Sequence, residues 1–526
     1  MPISFSQIPA NLKIPLYWVE VDPSKAGLPT IKLPALMVGT QISTGAAQPD
    51  KAVAIGSQAQ ADEAYGMGSE LSRMFKSFFA NNFANEVWGL GVAEPVGATA
   101  ATGTITVTTK QTEAGIVHLY ISGQHVPTNV AASDTTAMVA TSIAASINNL
   151  DDLPVIASAA TNVVTLTCKT KGAGGNDIRV DVNYFGSIGG EILPIDMVLT
   201  LPATGFLTGG AGVPVFDNAI ANLGEQQFEY VAMPFTDSTS LLAWEIEFGF
   251  SDTGRWGWRR ELFGHVFSAR RGLYADLITF GATRNSGVIS IMAFENTVPS
   301  PMCEAAAAYT AKAQRALVND PARPLQTLSL NNVKLAPLDA RFNTVELNAL
   351  ASTGLATQKP GADGQPMISR ESTTYQLNLY GQPDDAYELV TTLATLAALL
   401  RNQRHVITSK FPRHKLANDG TRFGPGQAIV TPGIIKAELI SQYRQDEFNG
   451  LVEDTRNFKK HLLVERDPNN PNRVNVLYPP DLINQLRIFA VLAQFRLQYD
   501  RGIDAEVASV LNQIGFTGRF TGADAA

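Results

Sequence analysis

The sequence predicts a multidomain α/β and α+β protein. Its parts are an α/β sheet core, an inserted β-rich domain, a mixed α+β C-terminal domain and extended terminal arms. Three observations predict this. Apolar strand-like runs alternate with helix-like runs over residues 31–93 and again over 206–317. Between them the composition shifts to Thr, Gly, Ala and Val. Beyond residue 333, long helical patterns mix with short β-runs. At 526 residues the chain is long enough for about three or four domains.

Residues 1–22 read as an N-terminal arm. Leu12, Ile14, Leu16 and Trp18 fall on one face of an extended strand, and Tyr17, Val19 and Val21 on the other. Both faces are apolar, while Pro9 and Pro15 deny the segment a central place in a sheet. The core takes residues 23–96 and 206–332. Strands are expected over 31–39, 86–93, 228–233, 265–269 and 288–295. Helices are expected over 70–83, 216–223, 240–250, 273–283 and 302–317. Such alternation means a largely parallel sheet covered by helices on both faces.

The insert, residues 97–205, carries β-runs beginning at Gly103, Val117 and Val163 and one helix around 137–148. Its ends fall in Gly- and Ala-rich linkers, as insertion requires. The C-terminal domain, residues 333–500, is expected to hold helices over 344–352, 384–407 and 434–448. Strands are expected within 367–380 and over 462–465, 474–477 and 487–498. Asp384 and Asp385 read as acids at a helix start, where they complement the dipole. Residues 501–526 read as a C-terminal tail.

Composition narrows the function. The chain is 45% hydrophobic and 17% charged, with mean hydropathy near zero. A low-charge surface suits a protein that covers much of itself with copies of itself, although composition alone suits an ordinary globular protein equally. The net charge of −8 argues against nonspecific nucleic-acid binding. Cys168 and Cys303 make neither a disulfide framework nor a zinc site. The first fifteen residues lack the basic and apolar regions of a signal peptide. No apolar run approaches the ~20 residues needed to cross a bilayer.

No catalytic or cofactor motif emerges, and no cofactor is expected. The core turns hold no G-x-G-x-x-G and no Walker A lysine. The clusters Gly172–Gly175 and Gly205–Gly212 sit in or beside the insert and read as turns or linkers. The six histidines show no metal-ligand spacing, and no metal site is expected. His118 and His125 flank a turn in the insert, so they can approach one another. Cys303 opens a helix, a position that lowers a thiol pKa, but without a paired base it reads as a small buried residue. One charged feature stands out. Arg401, Arg404, His405, Lys410, Arg413, His414, Lys415 and Arg422 crowd together with almost no acid before Asp419. This is either a solvated helix end or an interface with an acidic partner.

A series of phrases runs through the last third. They are Thr344-Val345-Glu346-Leu347-Asn348, the stretch from Gly364 to Tyr375, and Arg413-His414-Lys415-Leu416-Ala417. Ile435-Lys436-Ala437-Glu438-Leu439, Gly450-Leu451-Val452-Glu453 and Asn472-Arg473-Val474 follow. The series closes with Tyr478-Pro479-Pro480-Asp481-Leu482. Ile8-Pro9, Ile14-Pro15, Gly68-Ser69-Glu70-Leu71 and Asn319-Asp320-Pro321-Ala322-Arg323 add to it. In this order the phrases resemble the contractile tail sheath protein of Mu-like bacteriophages over nearly the whole chain, short of the tail.

The resemblance implies a structural subunit, not an enzyme. It implies hexameric rings stacked helically around a tail tube protein, with baseplate and tail terminator proteins as further partners. It also implies a virion location after assembly in the host cytoplasm, without nucleic-acid binding or direct membrane insertion. Terminal arms are then expected to pair with a neighbour's C-terminal sheet, through Leu12, Ile14, Leu16, Trp18, Val19 and Val21. The C-terminal domain is expected to face the tube, presenting Arg401, Arg404, Lys410, Arg413 and Lys415. A phage-derived bacteriocin or other genome-free particle fits the same phrases, and an α/β enzyme is the remote alternative.

Overall fold

The computed structural model describes residues 13–15, 17, 19–20, 33–495 and 513. The chain divides into two units, Met1–Ile483 and Asn484–Ala526. In the first unit β1 (Ala35–Thr40), β2 (Ala52–Ala54), α1 (Gln58–Tyr65), α2 (Glu70–Asn81) and β3 (Val87–Val92) come first. The chain then builds β4 (Ala100–Thr109), β5 (Gly115–Ile121), β6 (Gln124–Val130) and α3 (Thr136–Asn148). β7 (Val155–Ala160), β8 (Val163–Lys171), β9 (Val180–Val182) and β10 (Val198–Thr200) complete this segment. It returns through α4 (Asp217–Leu223), β11 (Tyr230–Ala232), α5 (Ser238–Glu247) and β12 (His265–Gly272). α6 (Tyr274–Ala282), β13 (Ile289–Glu295) and α7 (Met302–Leu317) follow.

One six-stranded sheet organises the first and third of these stretches, in the order β13-β12-β11-β1-β3-β2. Every pairing is parallel except that of the edge strand β2 with β3. The physical cause is visible along β1. All six of its residues are buried, so both faces need cover. Ala35 and Met37 point into one apolar cluster with Tyr65, Phe75 and Phe78 of α1 and α2. Leu36 and Val38 point into the other, with Leu223, Trp244 and Leu277. The two-residue period of a strand thus splits one run between two cores. α7 lies on the first face, and its buried Ala305–Ala308 run keeps it close to the sheet.

Residues 100–200 form two antiparallel sheets, β10-β4-β8-β7 and β6-β5-β9. With α3 they enclose a separate core that includes Ile105, Leu119, Ile143 and Leu166. The entry and exit strands are zipped together, Thr99 bridging Ala211 and Thr102 bridging Thr208.

The rest of the unit comprises α8 (Thr344–Ser352), β14 (Thr357–Pro360), β15 (Pro366–Arg370) and α9 (Val390–Lys410). β16 (Lys415–Leu416), β17 (Ile429–Val430), α10 (Pro432–Phe448), α11 (Thr455–His461), β18 (Leu463–Arg466) and β19 (Val474–Leu477) follow. α9 connects the cores. Val390 belongs to the first sheet cluster, Leu393 to the second, and Leu399 to a third with Leu439, Tyr443 and Phe458.

Three expectations need correction. Strand structure in 367–380 stops at Arg370. Beyond it the backbone donors take scattered partners: Thr373 N–H donates to Glu388 O, Thr374 N–H to Ile289 O and Gln376 N–H to Asn285 Oδ1. No regular ladder arises from such a sequence of partners. The long helix starts at Val390, so Asp384 and Asp385 are not its first turn. Asp384 instead accepts the Tyr375 hydroxyl at 2.5 Å. Residues 487–495 are not in a strand within the described residues, and 496–498 lie outside them.

Candidate assembly surfaces and the insert junction

Of the arm residues singled out from sequence, Leu12, Leu16, Trp18 and Val21 lie outside the described residues. Ile14 and Val19 are exposed and belong to no strand. At the other end, Leu486, Ile488, Phe489, Val491, Leu492 and Phe495 are all at least 70% exposed. Between the ends, β18 and β19 form an antiparallel sheet of two strands, which is marginal by itself. Leu463 and Leu477 on this hairpin are exposed.

The basic cluster divides. Arg401, expected on the surface, is nearly buried. Its guanidinium pairs with the buried Glu229 carboxylate and lies over the Phe263 ring at 5.4 Å. It ties α9 to the residue just before β11. The sequence hid this because Glu229 is 172 residues away. Arg404 is exposed and bridges Glu261 at 3.0 Å. Lys410 pairs with Glu438. Lys415 donates to Gln427 Oε1 at 2.9 Å, and Arg413 and Arg422 are exposed. The acids that offset the cluster therefore come from other elements.

A cleft of about 510 Å³ opens where residues 168–177 meet the carboxyl ends of β1, β11 and β12. Open α/β sheets commonly hold ligands at this place. Here its charges are already engaged. Arg271, almost wholly buried, holds Asp177 at 2.7 Å, and Asp177 also accepts the Met302 N–H at 2.6 Å. Arg73 donates to Glu304 at 2.6 Å and to Ser122 O at 3.2 Å. Glu70 Oε2 accepts both Thr40 N–H and its hydroxyl; burial pushes its pKa up, against those hydrogen bonds. The Gly172–Gly175 cluster leads into a short 3₁₀ turn, Ala173–Asp177, and so forms a joint. Burial, reinforced by Glu70 and Glu304, pushes the Cys303 thiol well up, so it is no activated nucleophile.

Further ties cross the same junction. Lys76 pairs with Asp152 at 2.6 Å. Tyr184 donates to Leu335 O at 2.7 Å. The Lys334 ammonium sits 5.1–5.5 Å from the Tyr120, Tyr184 and Phe185 rings. His118 and His125 do meet, with Nδ1 and Nε2 3.0 Å apart.

With this geometry in place, likeness to known proteins decides the reading. The Mu-like prophage FluMu tail sheath protein of Haemophilus influenzae is 41% identical over 499 residues, covering 94% of this chain and all of that protein. The chain belongs to the phage tail sheath family. Residues 382–496 also match the family model of the phage tail sheath C-terminal domain. Among solved structures, the sheath tail protein of Desulfitobacterium hafniense aligns at 13% identity and a TM-score of 0.44, over 89% of this chain and 100% of that one. The helical sheath of the anti-feeding prophage in its contracted state aligns at 10% identity and a TM-score of 0.44, over 93% and 100%. The chain is a structural tail sheath protein and not an enzyme.

Proposed function

We propose that this sheath protein polymerises as stacked hexameric rings around a tail tube protein and contracts to drive the tube through the host envelope for genome delivery. The observation that carries the proposal is the 41% identity to a prophage sheath protein over 94% of the chain. Baseplate and tail terminator proteins then meet the two ends of the polymer. Assembly takes place in the host cytoplasm, and the product is part of the virion.

The mesh between subunits comes from the terminal segments. An extended arm with apolar residues on both faces suits addition to a neighbour's sheet, and the two-stranded β18–β19 sheet is the acceptor we assign. Burying three or four large arm side chains contributes roughly 5–10 kcal/mol gross, less the cost of ordering the arm. The domains divide as an outer insert (97–205), a core (23–96 with 206–332) and a tube-facing C-terminal domain (333–500). Arg404, Lys410, Arg413 and Lys415 point to the tube in this arrangement; Arg401 does not. Contraction is a switch between two packings of the same subunit, driven by free energy stored at assembly and without nucleotide.

Removing residues 1–21 tests the mesh. The truncated subunit should stay folded and soluble, with near-native circular dichroism, and should build no tubes by negative-stain microscopy. Unfolding of the truncated monomer would place the arm in its own core. Normal sheaths from it would show that the mesh does not use this arm.

A further inference from the structure

The geometry points to a binding site for a divalent transition-metal ion on the β-rich segment, formed by His118, His125 and Glu191. Their donor atoms lie within 4.8 Å of one another. Two of them come from one hairpin. In the β5–β6 register His118 faces Pro127 and Tyr120 faces His125, which sets the two imidazoles side by side. Their nitrogens are 3.0 Å apart while the ring centres are 5.2 Å apart and the planes differ by 7°. The rings therefore meet edge to edge, nitrogen toward nitrogen. Zinc bonds of 2.0–2.1 Å at a tetrahedral angle place two nitrogens about 3.3 Å apart. A small opening of the pair and a turn of each ring meet that requirement, and the surface position of His125 leaves it free to turn.

The third ligand is held ready. Glu191 is buried, yet both its oxygens are anchored: Oε1 accepts the Tyr120 hydroxyl and Oε2 the Phe185 N–H at 2.9 Å. A carboxylate has lone pairs for more than one partner on each oxygen, so these bonds orient it without using it up. Such outer partners fix and tune metal ligands. Two imidazoles and one carboxylate leave a fourth position to water, the pattern of open zinc sites. The set suits Zn²⁺, Co²⁺, Ni²⁺ or Cu²⁺. It does not suit Ca²⁺ or Mg²⁺, which take all-oxygen shells. Lys334 stands across the Tyr120 ring; its charge offsets Glu191 when no metal is bound and competes with the metal. In the metal-free pair one imidazole donates to the other. Binding moves that proton to an outward-facing ring nitrogen, so both facing nitrogens become ligands and no net proton need be released from the neutral pair.

The test uses the full-length subunit purified without a polyhistidine tag. Cobalt(II) is titrated by visible absorption, and zinc chloride by calorimetry, at neutral pH. One equivalent per subunit with tetrahedral cobalt bands is expected, and Ca²⁺ or Mg²⁺ should not displace it. His125→Ala and His118→Ala should each weaken binding at least about tenfold, the loss that even a disturbed outer partner gives. Tyr120→Phe should weaken it less while keeping the stoichiometry. Circular dichroism checks that His125→Ala, a surface change, leaves the fold intact. Wild-type affinity in both histidine variants would put the metal elsewhere and overturn the site. Absence of any cobalt band in the native subunit would do the same.

Discussion

Arg401 and Arg413 carry the same charge twelve positions apart, yet replacing the first should destabilise the subunit and replacing the second should not. In Arg401→Ala the Glu229 carboxylate, about 5% exposed, loses its guanidinium partner and Phe263 loses the cation above it. Breaking a buried pair by removing one member costs about 3–5 kcal/mol, because an uncompensated charge stays behind. Gln227 still donates to Glu229 at 2.9 Å, which moderates the loss to about 3 kcal/mol. For a cooperative unit of more than 250 residues, each kcal/mol moves the midpoint by about 2 °C or less. A fall of about 5 °C is therefore expected in thermal unfolding of the free subunit. Arg413→Ala, at a solvent-facing position, should stay within about 0.5 kcal/mol of the native protein. The double variant Arg401→Ala/Glu229→Gln removes the stranded charge and should recover about half or more of the loss. Equal melting of Arg401→Ala and Arg413→Ala, or a double variant no better than Arg401→Ala, would refute the assignment of Arg401 as a structural tie.

Two further outcomes are expected. His265 is buried without a hydrogen-bond partner on either ring nitrogen, and burial lowers its pKa from 6.5 to about 3. The unfolded chain then binds one more proton than the native state between those values, so stability falls with pH from about 6.5 toward 3, by about 1.4 kcal/mol per unit. His265→Phe should flatten that part of a denaturant-measured pH profile; an unchanged slope would remove His265 as its source. Joining Val96 to Ala211 through a short linker should leave a subunit that still assembles but melts lower, since Arg271 loses Asp177 and Arg73 loses Ser122 O. Arg271→Met in that shortened chain should restore part of the loss, and a folded core that forms no polymer would show that residues 97–210 belong to the mesh.

Legibility followed the range of the interactions involved. The α7 and α8 boundaries could be read because their signals are local: an alanine-rich apolar period, and Asn343 with Glu346 closing a capping box. α1 has only Ala61 and Tyr65 buried, so its polar surface offered no period to detect. The sequence places the start of α9 too early because an acid pair before an apolar run resembles a helix start, while Asp384 is occupied by Tyr375. The basic cluster is visible as composition, but its division into a nearly buried Arg401 and an exposed Arg413 depends on Glu229, a partner just before β11. Likewise, two histidines flanking a turn can be read as able to approach one another, while Glu191 reaches them from 66 positions beyond His125. Contacts closed by tertiary structure leave no spacing to read.

The long helix α9 has a mechanical consequence. It holds 21 residues and spans about 31 Å. No glycine or proline interrupts it, so it has no built-in kink point. One end is clamped in the sheet cores through Val390 and Leu393, and Leu399 seats further along in the C-terminal core. Such a rod acts as a lever. A tilt of about 10° at the sheet displaces the far end by about 5 Å, given that length. Bending is then left to the segments on either side, the irregular 371–389 and the stretch 411–431, whose only regular structure is the pair of two-residue strands β16 and β17.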